Sequence, residues 1–180
     1  MRTRLLTALA FAAIPTAALA HPGDAHGFVH GFEHPLGGFD HVAAMVAVGL
    51  FAWQLGGRAL WLVPSTFVAV MAVAGALGIA GVPIPGVEIG IAASVIVLAA
   101  VVALRLKPPV ALAMALVGVF AVFHGHAHGA EMPLDASGAS YAAGFLAATA
   151  LLHAAGIALG MLIAKTWATW RASRPAPSRI

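Results

Sequence analysis

The sequence predicts an all-α integral membrane protein, a bundle of five transmembrane helices behind a cleaved signal peptide. Three observations support this: 62% hydrophobic against 8% charged residues, a mean hydropathy of +0.98, and long apolar runs separated by short breaks. A soluble domain of this size does not have such a composition. The chain has no cysteine. Disulfides and thiolate metal sites are therefore excluded, and imidazole, carboxylate and thioether remain as metal ligands.

The first twenty residues have the pattern of a secretory signal peptide. Arg2 and Arg4 precede an apolar run, and the sequence ALA at 18–20 is a small-x-small cleavage site. Cleavage would make His21 the mature amino terminus. The alternative is an uncleaved first helix, which would raise the number of helices to six.

Later apolar runs are long enough to approach the roughly 30 Å of membrane hydrocarbon. The predicted spans cover 39–57, 59–82, 87–105, 109–127 and 139–165. Glycine and proline mark their boundaries, and the short connections predict antiparallel neighbours. The domain organisation is therefore a signal peptide (1–20), a periplasmic His- and Gly-rich segment (21–38), a transmembrane domain (39–165) and a basic cytoplasmic tail (166–180).

Basic residues predict the orientation, because positively charged loops stay in the cytoplasm. With residue 21 outside, Arg58, Arg105, Lys107 and the basic tail all fall on the inner side. The carboxylates fall on the outer side or in the first turn of a span that begins there. The basic pI thus comes from the face that meets anionic lipid, and it does not imply nucleic-acid binding.

Histidines gather in two clusters beside the apolar segments. In the first, HPGDAHGFVHGFEHPLGGFDH, three histidines recur every fourth residue and would line one face of a helix: His26, His30 and His34. Pro35 and the following glycines break such a helix, so His34 and His41 should meet across a turn. Asp40 is either an N-cap or a ligand, and its position beside an imidazole at a membrane mouth favours a ligand.

Below His41, Met45 lies one helical turn deeper. We expect it to be a packing residue, with a thioether ligand as the alternative.

The second cluster, FHGHAHGAE, places His124 and His128 four residues apart at the outer end of the fourth span. This spacing lets two imidazoles converge on one ion, and Glu131 follows three residues later. His126 faces elsewhere on a helix. The alternative is a loop without fixed geometry, because the glycines would loosen a helix.

Two further polar residues lie in apolar surroundings. Glu88 is in the first turn of the third span, where a ligand role competes with stabilisation by the helix dipole. His153 lies near the predicted bilayer middle, where ionisable residues often mark a permeation route.

The predicted metal ligands are His34, Asp40, His41, Glu88, His124, His128 and Glu131. The auxiliary candidates for metal binding or translocation are His21, His26, His30, Met45, His126 and His153. Both sets predict binding of a divalent transition metal on the outer face.

Two segments of the chain resemble the signature segments of the HupE/UreJ family. They are HPLGGFDHVAAMVAVGLFA at 34–52 and FHGHAHGAE at 123–131. The resemblance implies a small bacterial inner-membrane protein linked to hydrogenase or urease maturation that takes up Ni²⁺. It covers essentially the whole mature chain, whereas His21, His26 and His30 lie outside the shared pattern.

The residues themselves leave the metal open, because imidazole with carboxylate suits Ni²⁺, Co²⁺, Cu²⁺ and Zn²⁺. No phosphate-binding loop of the GxxxxGK[ST] type is present, so we expect a secondary permease without ATP drive, without enzyme activity and without an organic cofactor. The alternatives are a membrane-anchored periplasmic metal buffer or sensor and a His-ligated membrane metalloenzyme. Whether the chain forms a homo-oligomer stays open.

Overall fold

In a computed structural model of the chain, residues 27–132 and 138–173 are described, and these are helical throughout apart from short connections. The elements are α1 (Gly27–Glu33), a 3₁₀ turn (His34–Leu36), α2 (Phe39–Leu55), α3 (Ala59–Ile79), α4 (Val87–Ala103), α5 (Val110–Ala130) and α6 (Gly138–Ala172). The predicted signal peptide, His21, His26 and residues 174–180 lie outside the described residues.

Three of these helices, α3, α5 and α6, are long and apolar enough to cross a membrane. A fourth candidate span appears if residues Gly27–Leu36 and α2, which meet at an angle of 82°, count as one broken span. Helix α4 is apolar but has only 17 residues. The described residues therefore form a helical bundle with three or four candidate spans, and the count of five stays a prediction.

The sharp bend lies where the sequence predicted a break. Pro35 is buried in the 3₁₀ turn, and Gly37 and Gly38 follow it before α2 begins. Because proline lacks the N–H that would continue the helix, the chain turns at this point. The predicted turn between His34 and His41 is present, and the rings of both residues lie against His128.

Two helices extend beyond their predicted ends. Helix α5 continues to Ala130, so the second histidine cluster is helical and the alternative of an irregular loop is wrong. Helix α6 has 35 residues and continues past residue 165 to Ala172. At about 1.5 Å per residue it is longer than the hydrocarbon layer, so one end projects from the membrane.

Glycines allow the helices that carry the histidines to approach closely. A Cβ atom on Gly125 of α5 would collide with the backbone of Met71 on α3, and one on Gly129 would collide with Gly75. Between α2 and α6, Gly49 and Gly156 meet in the same way. Small residues let helix backbones pack in this manner within membranes.

Two other glycine pairs, each four residues apart, differ in their roles. Gly156 and Gly160 on α6 both pack against α2. Gly90 lies against the ring of Phe123, but Gly86 has nothing within 4 Å of a would-be Cβ. Gly86 has a φ of 72° and immediately precedes α4, so glycine is needed there for its backbone conformation.

Replacing Gly125 with Ala should destabilise the bundle, because the added methyl meets the backbone of Met71. Overpacking of this kind costs about 1–3 kcal/mol. The matched control is Gly118→Ala on the same helix, whose added methyl makes only ordinary contacts of 3.8 and 3.9 Å. Thermal unfolding in detergent should give a lower midpoint for Gly125→Ala than for Gly118→Ala; equal midpoints would contradict the close packing of α3 and α5.

Candidate metal site

The two histidine segments meet at one end of the bundle. Helix α5 brings His124 and His128 to the start of α2, where His41 lies, and the 3₁₀ turn adds His34. Two groups of three potential ligand atoms result, each with its atoms within 4.8 Å of one another. We name them the His124 group (His41, His124 and His128) and the Glu131 group (His34, His128 and Glu131).

The His124 group is the deeper of the two. His124 is fully buried and His128 is 7% exposed. His41 Nε2 lies 2.5 Å from His128 Nε2, and the rings of His41 and His124 are 4.9 Å apart. The contact between His41 and His128 thus joins the two histidine segments directly. The spacing of His124 and His128 places both rings on the same face of α5, towards His41.

Neighbouring oxygens fix the protons of two of these rings. The Ser94 hydroxyl donates its hydrogen to the carbonyl oxygen of Ile91 at 2.6 Å, so its oxygen accepts from His124 Nε2–H at 2.9 Å. His124 Nδ1 therefore carries the lone pair, and it is buried without a partner. Asp40 Oδ1 likewise accepts from His41 Nδ1–H at 3.1 Å, which leaves the lone pair on His41 Nε2.

Asp40 thus contacts an imidazole and is in neither ligand group of the described residues. A carboxylate behind a histidine orients the ring and makes its other nitrogen a better donor to a metal. Asp40 is placed to act on His41 in this way, and its predicted role as a direct ligand stays a prediction.

The Glu131 group lies nearer the surface. His34 Nε2 is 3.5 Å from Glu131 Oε2, and His128 Nδ1 is 3.9 Å from the same oxygen. The Glu131 side chain is 55% exposed. Its hydrogen bond with His34 lowers the pKa of the Glu131 carboxyl below its ordinary value, so this ligand stays ionised at neutral pH.

Aromatic rings surround the imidazoles. Phe145 lies 4.3 Å from the ring of His128, Phe67 lies 5.8 Å from that of His124, and Tyr141 lies 5.8 Å from that of His34. Beside His128 a cavity of about 130 Å³ opens between α3, α5 and α6. The rings keep water away from the buried nitrogens, which strengthens electrostatic interactions within the site.

Other predicted residues lie outside both groups. Glu88 is exposed, and Met45 is fully buried in the apolar core below His41. His126 Nε2–H donates to the carbonyl oxygen of Val82 at 2.6 Å, so this ring holds the connection between α3 and α4. His30 stacks edge-on against His34 at 6.2 Å.

His153 lies apart from the clusters, deeper in the bundle. It is 1% exposed, both its ring nitrogens lack a hydrogen-bond partner, and Phe67 packs edge-on against it at 5.2 Å. A cavity of about 340 Å³ between α3 and α6 is lined by His153 and Ser65. The ring of Phe67 therefore lies close to the rings of both His124 and His153.

Sequence reasoning missed Ser94, Phe67, Tyr141 and Phe145. Ser94 carried a signal, because it is the one hydroxyl residue within Val87–Ala103. A polar residue in a predicted span needs a partner. The aromatic residues carried no such signal, because a ring in an apolar run is expected in any core.

The sequence model of the HupE / UreJ protein family matches residues 9–176. The chain belongs to the HupE/UreJ family. It is 49% identical over 161 residues to Protein HupE of Rhizobium leguminosarum bv. viciae, a match that covers 89% of this chain and 84% of that protein. No solved structure matches the chain significantly.

Family membership and the apolar helices together make this HupE/UreJ protein a membrane protein. Both histidine segments lie inside the region matched by the family. The site offers nitrogen and oxygen ligands only, a set that suits borderline divalent ions such as Ni²⁺, Co²⁺, Cu²⁺ and Zn²⁺.

Replacing Ser94 with Ala should weaken metal binding by about 10–100-fold, because His124 loses the acceptor that fixes its proton and ring orientation. Titration of the purified protein with Ni²⁺ measures the effect. The matched control is Thr66→Val, since the Thr66 hydroxyl donates within its own helix, to the carbonyl oxygen of Leu62. Equal affinities for wild type and Ser94→Ala would show that His124 does not need this hydrogen bond.

Proposed function

We propose that this protein is a secondary permease that takes up a divalent transition metal across the bacterial inner membrane, with Ni²⁺ as its main cargo. One observation carries the proposal: ligands from two distant segments converge at one end of an apolar helical bundle. Polar groups are costly inside a membrane and usually mark a substrate or ion pathway. Binding of a transported metal ion would explain why imidazole rings are present in an apolar bundle.

Family membership supports nickel as the cargo. It also supports the idea that the imported nickel supplies hydrogenase or urease maturation. The ligand set is consistent with this choice but does not select it, because copper binds more strongly than nickel to nitrogen and oxygen ligands. Selectivity must then come from geometry and from the metals available outside.

Charge complementarity supports a path that begins at the Glu131 group. The exposed, ionised Glu131 attracts a cation, and loss of its waters is offset by the carboxylate and by two imidazoles. The His124 group offers imidazoles alone, and the Asp40 carboxylate contacts the far nitrogen of one of them. The electrostatic attraction between the ion and its ligands would therefore decrease as the ion moves inward.

We further propose that Glu88 and the amino-terminal His21, His26 and His30 gather ions on the approach, and that His153 receives them beyond Phe67. Glu88 lies two residues before Gly90, which packs on Phe123 next to His124. His153 has two free nitrogens beside a cavity. These features support a polar route from the cluster towards the bundle interior.

The proposed orientation puts both clusters in the periplasm and the carboxyl terminus in the cytoplasm, as the distribution of Lys and Arg indicates. The inside-negative potential then favours entry of a divalent cation by about 4.6 kcal/mol per 100 mV, twice the single-charge value. This driving force needs no nucleotide.

The test is uptake of radioactive nickel into cells that lack other nickel transporters. His41→Ala, Asp40→Ala and Glu131→Ala should each abolish uptake with normal amounts of protein in the membrane, because each removes a ligand or its support. The matched control is Glu33→Ala, an exposed carboxylate outside both ligand groups, which should retain uptake.

Full uptake in all three variants would reject the site. Sealed vesicles separate a permease from an anchored buffer or sensor, since only a permease accumulates nickel inside. Competition with Co²⁺, Cu²⁺ and Zn²⁺ in the same vesicles measures selectivity.

A further inference from the structure

Two cavities lie one behind the other between α3 and α6. The upper cavity, of about 130 Å³, has His128 in its lining, and the lower one, of about 340 Å³, has His153. Ala72 lines both. On α6, Leu146 of the upper lining and Ala150 of the lower lining are about one helical turn apart. The cavities therefore form one groove, the α3–α6 groove, which leads from the ligand groups into the bundle.

Short side chains keep the lower cavity open. Ser65, Ala69 and Ala72 recur every third or fourth residue and line one face of α3. A water molecule needs roughly 10–15 Å³ of such space, so the cavity has room for a metal ion with several of its waters. All three residues are exposed, so a lipid chain could also reach the groove. The polar groups beside the cavity decide between these occupants.

Buried polar groups lie on the α6 side of the lower cavity. His153 is 1% exposed, and Thr149, one turn before it on the same face of α6, is fully buried. Neither ring nitrogen of His153 nor the hydroxyl of Thr149 has a hydrogen-bond partner among the described residues. Polar groups left unpaired in apolar surroundings are costly. A lipid chain would leave this cost in place, whereas a hydrated cation would remove it.

The free hydroxyl of Thr149 is unusual for a threonine within a helix. Such a hydroxyl can donate to a carbonyl oxygen of the preceding turn. The Thr66 hydroxyl donates to Leu62 in this way at 2.8 Å, and the Thr169 hydroxyl donates to Thr166 at 2.9 Å. Thr149 makes no bond of this kind. Its oxygen is therefore available to a ligand beside the imidazole of His153.

We propose that the α3–α6 groove is the inward path of the ion and that its lower cavity is a second metal site, where His153 binds a divalent cation that keeps several waters. The proposal rests on the proposed function and specifies its inner half. The hydroxyls of Ser65 and Thr149 hydrogen-bond to the waters of the ion. One imidazole with waters holds a borderline divalent ion more weakly than the three-ligand groups do, which lets the ion leave inward.

Reactivity of introduced cysteines tests whether the groove holds water. The chain has no cysteine of its own, so each variant carries a single thiol. Ala69→Cys places it in the lining of the lower cavity. The matched control is Val73→Cys on the same helix, because Val73 is 66% exposed and lines neither cavity. The full-length chain is placed in lipid vesicles and treated with a charged methanethiosulfonate reagent, which attacks the thiolate.

We expect Ala69→Cys to react and Val73→Cys to stay unmodified, because a thiolate forms only where water solvates it. An unreactive Ala69→Cys would mean that the groove holds lipid and would overturn the proposal. Equal reaction rates at the two positions would refute it as well, since the groove would then differ in no way from the outer surface of α3.

Nickel should protect Ala69→Cys from the reagent. At a Ni²⁺ concentration about ten times the dissociation constant, mass action leaves about one site in ten empty, so the reaction should slow about tenfold. His153→Gln should remove this protection, and unchanged protection in that variant would rule out the second site. If gel filtration shows that His153→Gln is not folded, Thr149→Val takes its place, because valine keeps the shape of threonine and lacks the hydroxyl.

Blocking the junction of the two cavities tests the path itself. Ala72→Phe adds a ring at the residue that lines both cavities, at an exposed position outside the core. Nickel uptake into sealed vesicles should be lost, while calorimetric binding of Ni²⁺ by the outer ligand groups keeps its affinity. Val73→Phe is the matched control and should retain uptake.

The two proposals fail in different ways. If the wild-type protein accumulates no nickel in vesicles, the proposed function is wrong and the path falls with it. If the wild type accumulates nickel and Ala72→Phe does so at the same rate, the ion does not pass through the groove. The permease would then stand and the inference would not.

Discussion

The hydrogen bond between His128 and His41 joins two segments that lie far apart in the sequence, and the site depends on it. It requires α2 to begin beside the last turns of α5, which in turn requires the bend after Pro35 and the glycine contacts of Gly125 and Gly129 with α3. Buried imidazoles without partners would destabilise an apolar bundle. Their mutual contacts limit this cost, and a bound cation would remove more of it.

Depth and charge change together along the site. The exposed carboxylate of Glu131 lies at its surface, the imidazoles of the His124 group lie below, and His153 lies deeper with no partner for either nitrogen. Strong binding at every step would trap the ion. A path on which fewer negative charges contact the ion as it moves inward therefore suits transport better than a single tight site. The ring of Phe67 lies close to both His124 and His153.

Much of this arrangement could be predicted from the sequence, because apolar runs, Pro35 and the spacing of His124 and His128 each have a direct physical consequence. Depth within the site could not be predicted. Asp40 and Glu131 look equivalent in the sequence, yet Asp40 contacts the far nitrogen of His41 whereas Glu131 belongs to a ligand group. Ser94 was missed because its meaning depends on which helix face packs against α5, a matter of tertiary contacts.

X-ray absorption at the nickel edge tests most directly whether the two segments share an ion. In protein loaded with one equivalent of nickel, with His21, His26 and His30 replaced by Gln, the spectrum should show nitrogen and oxygen ligands with multiple imidazoles. The imidazole signal should decrease both in His41→Ala and in His124→Ala, which lie on different segments. A signal unchanged by either substitution would mean that the ion is bound by one segment alone and would contradict this account.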